Sequence, residues 1–155
     1  LQRFLPDIRA LRDVSESQFA SYSSDMPDVI GRRCRHVISE NARVLEAADA
    51  LRSDNLERFG ELMAESHVSL RDDYEVSCAE LDLMIELANQ CRGVYGARMT
   101  GGGFGGCTVN LVETDGVQDF KTTVAGKYEQ RTGFQPDIYV CTAADGAREI
   151  TVQDS

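Results

Sequence analysis

The sequence predicts an α+β chain: a helix-rich first half, followed by a layer in the order α-β-β-α-β with an antiparallel sheet. Three observations carry that prediction. Apolar residues recur at helical spacing from residue 28 to about 51 and again from 56 to about 70. Two short β-like runs, Val94-Tyr95-Gly96-Ala97-Arg98-Met99 and Cys107-Thr108-Val109-Asn110-Leu111-Val112, flank a glycine-rich loop, which is the pattern of a hairpin. A helical pattern lies on either side of that hairpin, and a β-like run over 138–142 closes the layer.

In order, residues 1–27 read as a connector and a short helix. Pro6 and the weak periodicity of residues 8–12 suggest extended chain, and Ser15-x-x-Gln18 is a capping-box pattern opening a helix with Phe19 and Tyr22. Asp25-Met26-Pro27 breaks that helix and starts the next, with proline in its first turn. Residues 28–71 read as a helix pair. Ile30, Cys34, Val37, Ile38, Leu45, Ala48 and Leu51 form the first stripe, and Leu56, Phe59, Leu62, Met63 and Ser66 the second. The joint Ser53-Asp54-Asn55 is short enough to require antiparallel packing.

Residues 77–142 then read as a split βαβ-like layer. Ser77-Cys78-Ala79-Glu80 has capping-box form, and the helix it opens carries Leu81, Met84, Ile85, Ala88 and Cys91 before Gly93 stops it. After the hairpin, Asp115 is placed to cap a helix with Val117, Phe120, Val124 and Tyr128 on one face. This is the order of a ferredoxin-like layer short of its first strand, which is expected upstream of Leu1 or, failing that, at residues 8–11.

Composition sets bounds. At 155 residues the chain fits one domain. A formal charge of −10 argues against nucleic acid or an anionic membrane as partner, and no apolar run has the length of a membrane-spanning helix. Five cysteines, scattered and without a C-x-x-C pair, read as reduced thiols buried as small apolar residues in a cytoplasmic protein. His36 and His67 stand apart from any metal-ligand spacing, so no metal-binding residue is assigned. Arg32, Arg33, Arg35, His36 and Arg43, with Glu40 and Glu46, read as a solvated helix face with i,i+4 pairs. Arg71-Asp72-Asp73-Tyr74 reads as a structural turn that holds the next segment, with an interface or active-site rim as the alternative.

The loop between the two β-like runs carries the functional reading. Thr100, Gly101, Gly102, Gly103, Phe104, Gly105 and Gly106 precede Cys107, and glycines free to take positive φ can turn successive backbone N–H groups toward an anion. Gly101, Gly103 and Gly106 satisfy G-x-G-x-x-G, but the loop opens a strand rather than a helix, so the dinucleotide fingerprint fails. No lysine is near, which removes the Walker loop, and the protein-kinase signatures His-Arg-Asp and Asp-Phe-Gly are absent. Spacing alone leaves open a tight hairpin with close backbone packing and an anion-contacting loop.

The wider string, from Val94 through Met99-Thr100-Gly101-Gly102-Gly103-Phe104-Gly105-Gly106-Cys107 to Val109, resembles the third motif of the galactokinases, within the GHMP family of small-molecule kinases. Glu65-Ser66-His67 through Asp82, Arg33-x-Arg35-His36 to Asn41, and Ala144-Asp145-Gly146-Ala147 extend the resemblance over roughly residues 8–150, with Ala79 where the family carries proline. The resemblance implies transfer of the γ-phosphate of ATP to the anomeric hydroxyl of galactose, with Mg²⁺. It also implies that the sugar signature, the serine-rich phosphate loop and the catalytic Asp lie in an N-terminal half that this chain lacks. The chain is therefore expected to be the C-terminal part of such a kinase. Its glycine loop, Thr100 and Gly101 to Gly106, would line the cleft near ATP, with no catalytic residue of its own and no activity alone. A galactokinase-like sugar and ATP sensor, an N-acetylgalactosamine kinase, and a free-standing ferredoxin-like ligand-binding domain remain alternatives. Residues 101–106 are expected to approach the phosphates, or the loop that holds them, too closely to admit a Cβ.

Overall fold

The computed structural model describes residues 1–146. Its helices are α1 (Glu16–Tyr22), α2 (Asp28–Arg52), α3 (Leu56–Asp72), α4 (Ala79–Asn89) and α5 (Val117–Thr132), and its strands are β1 (Val94–Thr100) and β2 (Cys107–Val112). The two strands pair antiparallel, from Thr100 opposite Cys107 to Val94 opposite Val112, with one irregularity at Tyr95. The hairpin is the middle layer: α3 packs on it from one side with α2 against α3, and α4 packs on it from the other, where α5 shares the core.

Strand pleat explains that sandwich, because alternate residues point to opposite faces. Ala97 and Met99 join Leu81, Ile85, Ala88, Phe120 and Val124 in the larger core. Met99 is 1% exposed and Val124 wholly buried, so each side chain contributes about 1.5–3 kcal/mol relative to exposure. On the opposite face, the crossing of α3 over Gly96 leaves no room for a side chain. Gly60 of α3 lies flat on β1: a Cβ on Gly60 would stand 1.8 Å from the Tyr95 carbonyl oxygen, and one on Gly96 2.5 Å from Gly60 Cα. Helix backbone and strand backbone touch directly.

Most predicted elements form. Ser15 accepts from the Gln18 amide, and Gln18 accepts from Ser15, completing the first capping box. Asn55 caps α3 through the Arg58 amide. The α2–α3 cross-links run Arg58 to Glu46, Ser66 to Glu40, His36 to Ser69 and Arg32 to Asp72, the reversed order that antiparallel packing requires.

Several expectations are corrected. Residues 138–142 form no strand: Tyr139 is 82% and Val140 57% exposed, and β2 ladders only with β1 among the described residues. The layer is α-β-β-α, with an extended segment after α5. Residues 8–11 are no strand either; they lead into a 3-10 turn at Leu11–Asp13. The connector is turned rather than extended, with Phe4 and Leu5 amides both donating to the Leu1 carbonyl, and it packs on α2 through Val14, Phe19 and Ile38. Pro27 stands just before the first turn of α2, not in it. Ser77 does not cap α4; its hydroxyl donates to Asp82 at 2.6 Å, and Cys78 occupies the cap position without a side-chain bond. Asp115 lies in a 3-10 turn, and Gly116 precedes α5. The α2 stripe is the largest miss, since Ile30, Leu45 and Leu51 are each more than half exposed. Cys107 and Cys141 are exposed rather than buried.

Both histidines are buried in polar company. Neutral His67 donates through Nε2 to Asp82 at 3.1 Å, while its Nδ1 has no partner. His36 Nδ1 donates to Ser69 Oγ at 3.0 Å, and that hydroxyl donates onward to Asp73. Burial holds both imidazoles below their ordinary pKa of 6.5, with Arg43 adding to the effect at His36 and Asp82 opposing it at His67. The unfolded chain therefore binds protons first as pH falls, and the histidine contribution, complete above pH 6.5, is lost below it. The urea midpoint should drop between about pH 7.5 and about pH 5.5, and the drop should shrink in His67→Gln. A midpoint flat across that interval would contradict this reading.

Candidate functional site

Hairpin geometry presents the glycine loop at one end of the sandwich. Thr100 and Cys107 form its closing pair. Gly101, Gly103 and Gly105 take φ of +78°, +81° and +100°, and Phe104 joins them at +56° with its ring 75% exposed. A left-handed phenylalanine costs roughly 1–2 kcal/mol. That cost is offset by an anchor: the Phe104 amide donates to the Val76 carbonyl at 2.9 Å.

The two sides of the loop differ. On the inner side, a Cβ at Gly103 would lie 2.2 Å from the Val76 carbonyl oxygen and 3.1 Å from Met99 Cε. Gly103 is thus required by the chain's own α3–α4 connection, and crowding there does not depend on phosphate. On the outer side, a Cβ at Gly101, Gly102 or Gly105 would meet nothing within 4 Å. Backbone N–H groups are what this surface offers, since residues 100–106 include no charged side chain.

Thr100 is exposed at the loop mouth. Arg98 points away from it, into the layer between the strands and α2, where Nε donates to the Met99 carbonyl at 3.0 Å and Nη1 lies 3.8 Å from Glu40. Burial alone lowers the Arg98 pKa. Beside it is a largely apolar cavity of about 230 Å³ between α2, α3 and β2, with Phe59, Leu62 and Val109 in its walls. A groove of about 490 Å³ runs from Gly105 and Gly106 toward Phe120 and Tyr139 on the other face. No cluster of three metal-ligating side chains occurs among the described residues.

What sequence reasoning missed is the support beneath the loop. Arg32, Arg33 and Arg35 were expected to form a solvated face, yet they reach some forty residues along the chain to the turn at residues 72–75. Arg35 binds Asp73 at 2.8 Å, Arg32 donates to the Asp72 carbonyl at 3.1 Å, and Arg32 and Arg33 share the Glu75 carboxylate. Tyr74 stacks on His36 with ring centroids 4.5 Å apart. The structural reading of Arg71-Asp72-Asp73-Tyr74 thus gains specific partners. The signal was there in Arg33-x-Arg35-His36 and Asp72-Asp73-x-Glu75, complementary in charge, but nothing in one sequence pairs segments forty residues apart.

Comparison with known proteins agrees with this geometry. The family described as GHMP kinases C terminal matches residues 47–129. A galactokinase from Roseiflexus sp. (strain RS-1) is 49% identical over 150 residues, which is 97% of this chain and 38% of that protein. A galactokinase from Clostridium acetobutylicum is 44% identical over 145 residues, covering 93% of this chain and 37% of its own length. The crystal structure of Lactococcus lactis galactokinase complexed with galactose superposes with a TM-score of 0.80 at 42% identity, over 83% of this chain and 34% of that one. The chain thus spans under two fifths of the length of these relatives. The resemblance read from the motifs holds, and the chain belongs to the GHMP kinase family, as a C-terminal domain of galactokinase type.

Proposed function

We propose that the protein carrying this chain is a galactokinase, and that the chain supplies one wall of the active-site cleft. The observation that carries the proposal is the two-sided glycine loop: fixed to Val76 within the domain, open outward at Gly101, Gly102 and Gly105, in a chain 49% identical to a galactokinase. In the reaction, the anomeric hydroxyl of galactose attacks the γ-phosphorus of ATP, the bond to the β-phosphate oxygen breaks, and ADP and galactose 1-phosphate leave. Positioning and charge neutralisation dominate such transfers. The outward loop surface suits close approach to ATP phosphates, or to a loop holding them, because no Cβ stands in the way. Thr100 and Gly101 to Gly106 are the residues proposed to make that approach. Their backbone can position but cannot accept the hydroxyl proton, for the loop has neither carboxylate nor imidazole. Nor does it offer a carboxylate to Mg²⁺, so base and metal ligands are assigned to the remainder of the kinase. The scattered cysteines, none of them paired among the described residues, suit work in the cytoplasm.

An ADP-release assay on the full-length protein tests this reading. Turnover with galactose and ATP should exceed that with N-acetylgalactosamine at least tenfold, and residues 1–155 alone should show none. Absence of galactose-dependent ADP release from the full-length protein would refute the assignment.

A further inference from the structure

We propose that Arg32, Arg33 and Glu75 form a clamp that positions the glycine loop for phosphoryl transfer, acting through the Val76 carbonyl. The inference deepens the kinase reading and rests on it. It begins from a chain of contacts. Outside the hairpin, the loop's backbone hydrogen bond is that from the Phe104 amide to Val76, and Gly103 lies flush against the same carbonyl. The orientation of one peptide group, at residue 76, therefore sets where Gly103, Phe104 and Gly105 sit.

The turn that leads into Val76 is itself held from α2. Val76 follows Glu75, whose φ of +58° is a left-handed conformation that a glutamate does not adopt without compensation. The compensation is electrostatic and directional. Arg33 forks between the Asp73 carbonyl and Glu75 Oε2, the latter at 2.5 Å, and Arg32 binds Glu75 Oε1 and the Asp72 carbonyl. Asp28 gives Arg32 a further partner at 3.0 Å, and Arg33 also lies over the Tyr74 ring at 5.8 Å. Four groups of one turn are thus tied to two guanidiniums on a long helix, and the Val76 amide closes back on the Leu70 carbonyl. A surface ion pair placed for stability alone stabilises little and need not grip backbone carbonyls. Two arginines gripping both the carbonyls and the carboxylate of a turn with a left-handed residue fix its geometry. Arg32, Arg33 and Glu75 are assigned as positioning residues, because their contacts are to the turn at residues 72–75 and their effect on the loop runs through residue 76.

Arg33→Met and Glu75→Gln in the full-length protein test the clamp. Hydrogen exchange of the peptide spanning residues 100–107 should quicken at least tenfold in both. With galactose and ATP, kcat per folded molecule, with the folded fraction fixed by circular dichroism at the assay temperature, should fall at least fivefold while the galactose KM stays within twofold; loss of folded protein alone would leave kcat per folded molecule unchanged. Should Arg33→Met fail to fold, Glu75→Gln, which preserves shape and removes only charge, decides alone. Unchanged exchange in the loop of a folded variant would overturn the proposal, and so would a loosened loop with normal kcat. If the unmodified protein transfers no phosphate to galactose, the kinase reading fails by itself, and the exchange measurement still shows whether α2 holds the loop.

Discussion

Gly60→Ala should lower the melting temperature by about 5 °C or more, although alanine is the better helix former. Intrinsic propensity favours the change by up to about 1 kcal/mol. The site opposes it more strongly, because the new Cβ would stand 1.8 Å from the Tyr95 carbonyl oxygen and 2.4 Å from its carbon. Both are backbone atoms of β1, which cannot swing aside as a side chain would. Helix α3 must retreat from the strand, and overpacking of this kind costs about 1–3 kcal/mol, occasionally more. A net loss of about 2 kcal/mol corresponds to roughly 4–8 °C in a domain of this size. Gly126 in α5 provides the control, since a Cβ there meets nothing within 4 Å. Gly126→Ala should raise the melting temperature. Thermal denaturation of both variants compares them, and a Gly60→Ala protein as stable as Gly126→Ala would show that α3 can move without cost.

The same contact shows how far sequence reasoning reaches. A glycine in mid-helix at residue 60 is locally unfavourable, which was the available sign that something packs closely there. Its partner Gly96 lies in a strand thirty-six residues on, and neither periodicity nor capping connects the two. Local rules placed β1, β2, α3 and α5 closely, while α4 stops at Asn89, short of the expected Cys91 and Gly93; α4 and α5 bury regular apolar stripes on the larger core. The same rules failed on α2, whose inward face is built from His36, Glu40 and Arg43 paired with α3, while Val44 and Leu45 are exposed. Hydrophobic spacing cannot identify a face buried through polar pairs. It failed also at 138–142, where β-like composition is present but no strand lies alongside among the described residues to satisfy the backbone.

For the glycine loop, sequence supplied the location and structure divides the labour among its residues. Gly103→Val and Gly102→Val should both lose activity but differ in stability. At residue 103 the side chain would collide with the Val76 carbonyl, 2.2 Å from the new Cβ, and a β-branched residue is penalised further at φ +81°. Loss of the Phe104 anchor should follow, and the melting temperature should fall by several degrees together with activity. At residue 102 a Cβ meets nothing of this chain within 4 Å, and the backbone is not left-handed. Replacing glycine there also restricts the unfolded chain, which stabilises by about 0.4–1 kcal/mol where the native conformation is compatible. Gly102→Val should therefore melt no lower than the unmodified protein. If the outer face of the loop lies against ATP or the segment that holds it, kcat should nonetheless fall at least tenfold, a loss of about 1.4 kcal/mol in transition-state stabilisation. Melting temperatures and steady-state kinetics of the two full-length variants separate the roles. Normal kcat in a stable Gly102→Val enzyme would mean that no close contact forms at residue 102, leaving the inner attachment at Val76 as the reason for glycine in this loop.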